Sequence, residues 1–362
     1  MSADSELISS AIPKLSLFFF SNVTEGASTS PYQQLIRMAQ LADEMNFEAV
    51  WTPERHFNSF GGMFPNPSVL SAALAALTRR ISIRAGSIVL PLHDPLRVAE
   101  EWALVDQLSA GRTGVAFAAG WQRNDFVLNA GNYKSRQQCL FSSIEKVQSL
   151  WSGNPLIRDE LSLPDSPEPV EIRTWPMPVQ HNIPVWITAG SNPQLFQEAG
   201  KRGFNVLTHL INQTWEQFET NCASYRRARA EAGYDTDTGK ITLMLHTQAG
   251  RPKTEMLPEL RLALKSYLSA FMQLSNNLSQ SSTSGVVQNQ KRQAYTLQWG
   301  VEKYLNQYGL FGSASECQEM LVALKQKGID EIACLVDFGM AEKSVKATID
   351  TLATLLISKR PV

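Results

Sequence analysis

Short apolar runs alternate with helical stripes of apolar residues along most of the chain. Leu15–Ser21 is a nearly continuous apolar run, and from Pro31 to about Asn46 the apolar residues recur at helical spacing. The same two patterns then repeat from Ala49 to Ser358. Apolar runs of this kind are typical of strands in a parallel sheet that is covered by helices on its faces. The pattern therefore predicts repeated strand–helix units and a parallel sheet.

The repeated pattern predicts eight strands and eight helices in alternation. The strands are Leu15–Ser21, Ala49–Thr52, Ile81–Leu90, Thr113–Ala119, Val185–Ala189, Asn205–Leu210, Ile241–Gln248 and Glu331–Asp337. The helices begin near Pro31, Ser68, Asp94, Ser135, Asn192, Thr214, Ser315 and Ala341. Eight such units without an internal linker predict an α/β protein, a closed (β/α)8 TIM barrel. We interpret residues 1–362 as a single domain.

Two stretches interrupt the alternation and are predicted to be insertions after strands four and seven. Residues 152–182 contain six prolines, which a buried helix does not tolerate, so we expect a surface excursion there. Residues 251–310 are predicted to form a helical insertion. Its middle, from Ser275 to Gln290, is rich in Ser, Asn and Gln and is predicted to be a mobile lid.

Composition and charge narrow the classes of partner. The formal net charge is −1, so no excess of basic residues favours nucleic acid or an anionic membrane surface. The four cysteines have no CxxC spacing, which disfavours both a disulfide framework and a common zinc site. No apolar run approaches the ~18 residues of a membrane span, and the first dozen residues lack a basic segment typical of a signal peptide. We expect a soluble cytoplasmic protein with a small-molecule partner.

The candidate chemistry lies where strands are predicted to end, because barrel active sites form at the carboxyl ends of the strands. Arg55 and His56 follow the second strand, His93 follows the third, and His209 lies in the sixth. Histidine exchanges protons near neutral pH, although a histidine at a strand end is equally well explained as a tether for a loop. No HExxH or HxH spacing occurs, so we expect no catalytic metal.

A phosphate site is indicated at the Gly190-Ser191-Asn192-Pro193 turn, which opens a helix. Backbone N–H groups at a helix start bind phosphate, although the same residues also form ordinary helix caps. Arg136, at the start of the fourth helix, carries a forked donor that suits phosphate; the alternative is a solvated arginine. No GxGxxG follows the first strand and no GxxxxGKS occurs, which disfavours a dinucleotide fold and a P-loop.

Small residues occur in the later part of the third and fourth strands, at Gly86-Ser87 and Ala118-Ala119. Such residues leave room for a flat ring system at the mouth of a barrel. The alternative is that they only make room for a bulky neighbouring side chain, as is common in barrels.

Several separate stretches occur in an order that is found in a known family. They are Phe47–Phe57 with Pro65-Asn66-Pro67, Gly86–Pro91 with Asp94-Pro95, Glu100–Gly111, and Gly312–Asp330. Together these stretches resemble the luciferase-like flavin-dependent monooxygenases, and the resemblance extends from about Leu15 to Leu355. The run Gly120–Leu128 resembles a subgroup associated with nonribosomal peptide and polyketide biosynthesis.

The resemblance implies the reaction and its partners. It implies a monooxygenase that uses O2 and reduced FMN (FMNH2), which a separate flavin reductase supplies. The substrate would be a small or carrier-protein-bound intermediate of natural-product biosynthesis, and the enzyme would be a homodimer. Two alternatives stay open: an oxidoreductase that uses the deazaflavin F420, and a flavin-binding subunit without catalytic activity.

The resemblance also implies positions for the site residues. The implied cofactor-binding residues are Gly86, Ser87, Ala118, Ala119, Arg136, Gly190 and Ser191. The implied catalytic residues are His56, His209 and Arg55. Arg55 stands where the luciferases have their catalytic histidine, and a guanidinium does not shuttle protons near neutral pH. We therefore assign the acid–base role to His56 or His209.

Overall fold

The strands form one closed parallel barrel. The computed structural model describes residues 11–20, 30–158, 169–276 and 286–357. The strands of the ring are β1 (Lys14–Phe18), β2 (Ala49–Thr52), β3 (Ser82–Val89), β4 (Thr113–Ala118), β7 (Val185–Thr188), β8 (Asn205–His209), β9 (Ile241–Ala249) and β11 (Glu331–Leu335). They neighbour one another in this order, and β11 pairs with β1 to close the ring. The predicted (β/α)8 barrel is confirmed.

Helices follow the strands as the alternation predicts. They are α1 (Pro31–Glu44), α2 (Pro67–Leu77), α3 (Pro95–Ser109), α4 (Arg136–Trp151), α5 (Pro193–Lys201), α6 (Trp215–Glu231), α7 (Lys253–Asn276), α8 (Val286–Lys303), α9 (Ala314–Gln326) and α10 (Glu342–Ile357). Proline opens α2 and α3, where its missing N–H costs nothing. The side chains of Asn66 and Asp94 cap these helices by accepting backbone N–H groups.

The amino-terminal half of the barrel is filled with side chains. Arg84 donates to both carboxylate oxygens of Glu331, at 3.0 and 2.8 Å, and both side chains are almost fully buried. The guanidinium carbon of Arg84 lies 5.0 Å from the ring centre of Trp51 and 4.6 Å from that of Trp186. This packed ion pair fills one end of the barrel, and barrel enzymes bind their ligands at the other end, where the strands finish.

The predicted insertion at 251–310 ends earlier than expected. After α7 and α8, one π-helical turn spans Tyr304–Tyr308 and leads into β10 (Gly309–Gly312), which pairs in parallel with β9. This four-residue strand has a glycine at each end, so it is too short to show a strand periodicity. Most of the predicted lid at Ser275 to Gln290 lies outside the described residues, which omit 277–285.

The proline-rich stretch at 152–182 contains a short hairpin that the sequence did not predict. Its strands, β5 (Leu156–Arg158) and β6 (Val170–Ile172), pair antiparallel. The stretch contains no α-helix in its described part, in agreement with its prolines, and residues 159–168 lie outside that part.

No helix in the described ranges is both long and apolar enough to cross a bilayer. The assignment of residues 1–362 to one domain stays a prediction, although all the strands of the ring belong to one sheet.

Candidate active site

A cavity of about 530 Å³ lies at the end of the barrel where the strands finish. Residues that end or follow β1, β2, β3, β4, β7 and β8 line it, as is usual for barrel active sites. Nine of the ten predicted site residues lie on its wall: Arg55, Gly86, Ser87, Ala118, Ala119, Arg136, Gly190, Ser191 and His209. His56 does not line the cavity that the described residues form. The structure therefore brings together residues that lie far apart in the sequence.

A bulge in β3 shapes one wall of the cavity. The pairing of β3 with β4 shifts between Gly86 and Ile88, so Ser87 is an extra residue in the strand. The hydroxyl oxygen of Ser87 lies 2.7 Å from that of Thr188 on β7. A Cβ atom on Gly86 would lie only 2.7 Å from Phe18 Cε2. Gly86 is thus required by the packing of Phe18, which agrees with the alternative that a small residue here makes room for a bulky neighbour. The bulge presents the neighbouring Ser87 to the cavity.

The turn before α5 leaves its backbone accessible. The side chain of Asn192 caps α5 by accepting the backbone N–H of Gln194 at 3.0 Å. A Cβ atom on Gly190 would meet nothing closer than His209 Cε1 at 3.6 Å. The backbone around Gly190 and Ser191 therefore has room beside it, at a helix start where the dipole favours an anion.

Arg136 adds a partly paired positive charge to the cavity wall. Its Nε donates to the carbonyl oxygen of Gly120 at 3.1 Å, and its Nη1 donates to the carbonyl oxygen of Tyr133 at 2.9 Å. Its Nη2 makes no hydrogen bond within the described part of the chain. These two bonds hold the guanidinium in place and leave donors for a ligand.

His209 is a neutral member of the site. Its Nδ1 accepts the backbone N–H of Ile211 at 3.3 Å, so the ring proton belongs on Nε2. Burial lowers the pKa of His209 to about 4. At neutral pH this ring therefore offers one hydrogen-bond donor and no charge.

Arg55 forms a buried ion pair on the opposite part of the wall. Its Nη1 donates to Asp125 Oδ2 at 3.0 Å, and each side chain is only 5% exposed. The guanidinium carbon lies 5.3 Å from the ring centre of Trp121. Burial lowers the pKa of Arg55 despite the neighbouring Asp125, and burial raises the pKa of Asp125 despite the neighbouring Arg55. Both shifts have the same cause, which is the loss of water around the pair.

Glu54, on the wall of the cavity, joins two of the predicted histidines. Its Oε1 accepts from His56 Nε2 at 2.7 Å and from His93 Nε2 at 2.5 Å, and its Oε2 accepts the backbone N–H of Val89 at 2.6 Å. The potential metal-ligand atoms of these three side chains lie within 4.8 Å of one another, which their spacing did not suggest. Hydrogen bonds account for all of these contacts, so an ion is not needed to explain them. Burial would raise the pKa of Glu54, but the two histidine contacts outweigh it and lower that pKa.

Sequence reasoning did not assign roles to Glu54, Asp125 or the aromatic residues of α7. Glu54 stands beside Arg55 and Asp125 follows in the run Gly120–Leu128, so both were visible as motif members but not as partners. Tyr267 and Phe271 reach the cavity from α7, a helix that no motif connected with the site.

Comparison with known proteins decides the family. The profile described as "Luciferase-like monooxygenase" matches residues 14–331. The chain belongs to the luciferase-like monooxygenase family. The predicted fold class and the predicted enzyme class, a flavin-dependent monooxygenase, are thereby confirmed.

Individual members of the luciferase-like monooxygenase family are similar over nearly the whole chain. The oxygenase component of flavin-dependent trigonelline monooxygenase from Acinetobacter baylyi is 24% identical over 331 residues, which is 89% of this chain and 88% of that one. Among solved structures, the oxygenating constituent of 3,6-diketocamphane monooxygenase from Pseudomonas putida, in complex with FMN, gives a TM-score of 0.76 at 16% identity. That match covers 97% of this chain and 99% of the other.

The same barrel also occurs in a protein that uses another cofactor. An F420-dependent secondary alcohol dehydrogenase gives a TM-score of 0.67 at 15% identity and covers 97% of this chain and 100% of its own. Likeness at this level of identity establishes the fold alone. The choice of flavin therefore has to be argued from the residues of the site.

Proposed function

We propose that this chain is the oxygenase component of a two-component system that uses FMNH2 and O2 to oxygenate a small organic molecule. The proposal is carried by one cavity that combines a phosphate-compatible side with an apolar side. Its volume of about 530 Å³ suits a small-molecule or cofactor site. A relative is itself named as an oxygenase component, which supports a separate flavin reductase as the partner.

The residues of the cavity fit a flavin mononucleotide. Gly190 and Ser191 would hold the phosphate through backbone N–H groups at the start of α5, and Arg136 would add a charged donor. Ser87, Ala118 and Ala119 would lie against the ring system, because their small side chains leave a flat space there. The features that support this assignment are the accessible backbone at Gly190 and the Nη2 of Arg136, to which no described residue is hydrogen-bonded.

The protein would hold the flavin and the substrate in place and exclude water from the reacting atoms. Reduced FMN, when bound, supplies the electrons with which O2 is activated. Phe20, Phe60, Trp121 and Phe271 line the same cavity and would keep water away from the reacting atoms. His209 would hold a proton on Nε2 and donate it in a hydrogen bond to an oxygen atom of a ligand. His56 would act indirectly, by holding Glu54 in place next to Arg55.

The substrate class follows from the size and lining of the cavity. A small molecule with an apolar body would fit beside the flavin, and a carrier-bound intermediate of natural-product biosynthesis would have to enter through the open rim. Hydroxylation and Baeyer–Villiger oxygen insertion both add one oxygen atom from O2 to the substrate, and we propose oxygenation as the reaction class.

We propose that two copies of the chain form a homodimer through the exposed apolar face of α2 and α3. These helices pack against each other, and four of their aliphatic side chains are exposed. They are Val69 (67% exposed), Leu77 (46%), Leu104 (50%) and Leu108 (49%). Burial of such a face in a symmetric contact would remove its apolar area from water.

An anaerobic titration tests the choice of cofactor. We expect FMN, oxidised or reduced, to bind at least about tenfold more tightly than riboflavin, because hydrogen bonds to a charged phosphate are worth that much. Arg136→Gln should remove most of this preference, whereas Arg97→Gln, which changes an arginine with a 67% exposed side chain, should not. When the FMNH2 complex is mixed with O2, the rate of flavin oxidation should differ from that of free FMNH2. Equal binding of FMN and riboflavin would contradict the proposal, and tight binding of reduced F420 without O2 uptake would favour the dehydrogenase alternative.

A further inference from the structure

Arg55 has buried hydrogen-bond donors that no described residue accepts. Its side chain is 5% exposed and its Nη1 is bonded to Asp125. Its Nε and Nη2 have no hydrogen-bond partner among the described residues. A buried charged donor without a partner is costly, so its presence calls for an explanation, such as a functional role or a bound group that completes it. Arg55 also forms part of the cavity wall, so its guanidinium lies next to the space that a ligand would occupy.

The two unused nitrogens lie on one edge of the guanidinium plane. The N–H bonds of Nε and Nη2 point in parallel, and their spacing matches the two oxygens of a carboxylate. Asp125 occupies the third nitrogen and thereby holds the plane in one orientation. Lysine or histidine at this position would not present such a fork.

The side chains around Arg55 indicate the chemistry of the rest of the ligand. Trp121 stacks near the guanidinium, and its ring centre lies 6.0 Å from that of Phe271. Phe60 lies 5.0 Å from Tyr267 and 5.1 Å from Phe20, also measured between ring centres. All five aromatic residues line the cavity, so a molecule bound to Arg55 has its body against aromatic rings.

Arg55 lies away from the side of the cavity assigned to the flavin phosphate. It follows β2, whereas Gly190 follows β7, three strands further around the ring of eight. The two arginines of the wall, Arg136 and Arg55, therefore lie on different elements of the barrel, after β4 and after β2.

We propose that the substrate is an organic carboxylate with an aromatic or apolar body, and that Nε and Nη2 of Arg55 bind its carboxylate. This inference rests on the proposed function, because it assigns the other anion site of the cavity to FMN. Arg55 would be a specificity-determining residue, and Asp125 would be a positioning residue that acts through it.

The test compares carboxylates with their uncharged amides. The probes are benzoate and benzamide, phenylacetate and phenylacetamide, and nicotinate and nicotinamide. Their dissociation constants are measured by calorimetry on the whole chain, before and after loading with oxidised FMN. We expect the acid to bind about tenfold or more tightly than its amide in each pair that binds, as a charge-assisted hydrogen bond implies. Arg55→Gln should abolish the preference, and Arg55→Lys should restore only part of it because the fork is lost.

Controls separate this inference from the proposed function. Arg97→Gln should keep the wild-type preference, and thermal unfolding should show that each Arg55 variant is folded. Equal affinity for acids and amides, a preference that survives Arg55→Gln, or no binding of any pair would overturn the inference. A loss of FMN affinity in Arg55→Gln would also overturn it, since Arg55 would then serve the cofactor. Failure of the wild-type chain to bind FMN would contradict the proposed function, while the calorimetry on the unloaded chain would still test Arg55.

Discussion

Replacement of Glu54 by glutamine tests the buried hydrogen-bond network at the cavity wall. The side chain of Glu54 is fully buried, and its carboxylate accepts from His56 at 2.7 Å, from His93 at 2.5 Å and from the backbone N–H of Val89 at 2.6 Å. Glutamine has the same shape and can still accept from Val89. It has no charge, however, and only one of its two polar atoms is an acceptor.

The loss of stability can be worked out from these contacts. A hydrogen bond to a charged group contributes about 1.5–3 kcal/mol. Glu54→Gln weakens two such bonds, those from the imidazole rings, and retains the third. The lower value for each bond applies, because the histidines can change tautomer and accept from the new amide. We therefore expect the free energy of unfolding to fall by about 3 kcal/mol.

The loss should depend on pH through His93. Burial lowers the pKa of His93, but the hydrogen bond and the charge of Glu54 outweigh this and raise the pKa above its usual value of 6.5. A raised pKa means that the folded state binds the proton more tightly than the unfolded state does. The stability that this provides is complete below about pH 6.5 and is lost as the pH rises through the raised value. The pKa of Glu54 lies below its usual 4.5, so Glu54 stays ionised throughout this window.

The assay is urea unfolding of the wild type, Glu54→Gln, His93→Gln and the double variant at pH 5.5 and pH 9. The coupling energy from this cycle should be about 1.5 kcal/mol or more at pH 5.5 and smaller at pH 9. Glu100→Gln changes an exposed ion pair on α3 and should cost less than about 0.5 kcal/mol at both pH values. A coupling energy that is equal at the two pH values, or close to zero at pH 5.5, would refute the reasoning.

Three further predictions follow from the same site and surface. Gly190→Ala should weaken FMN binding and leave the thermal unfolding temperature unchanged. Gly86→Ala should lower the free energy of unfolding by about 1–3 kcal/mol, because its Cβ would lie 2.7 Å from Phe18. The opposite pattern in calorimetry and FMN titration would contradict both assignments. The wild type should lose stability as the pH falls from about 6.5 to about 4, because burial lowers the folded-state pKa of His209 to about 4 and the unfolded chain then binds a proton more readily. His209→Gln should reduce this loss. If urea unfolding of the variant has the same pH dependence as the wild type, His209 is not held neutral. Leu104→Glu should convert the proposed dimer into a folded monomer in light scattering, and an unchanged mass would contradict the proposed interface.

Local sequence determined the barrel, because each element carries its own signal. Apolar runs such as Leu15–Ser21 mark buried strands, and prolines such as Pro31 and Pro95 mark helix starts within a residue or two of where they occur. The prediction failed at Gly309–Gly312 and at the hairpin of β5 and β6. Strands of three or four residues have no measurable periodicity, and only their partners stabilise them.

The residues that line the cavity could also be predicted from the sequence. Barrel geometry brings together the residues that follow the strands, and the family resemblance selected among them. The partners of those residues were not accessible. Asp125 is 70 positions from Arg55, and His93 is 39 positions from Glu54. Which guanidinium atoms keep a free donor, and which histidine faces the cavity, depend on distances that only the closed barrel establishes. Burial then shifts the pKa values of His209, Arg55 and Asp125, because the loss of water around a charge is a property of the folded molecule and not of the residue.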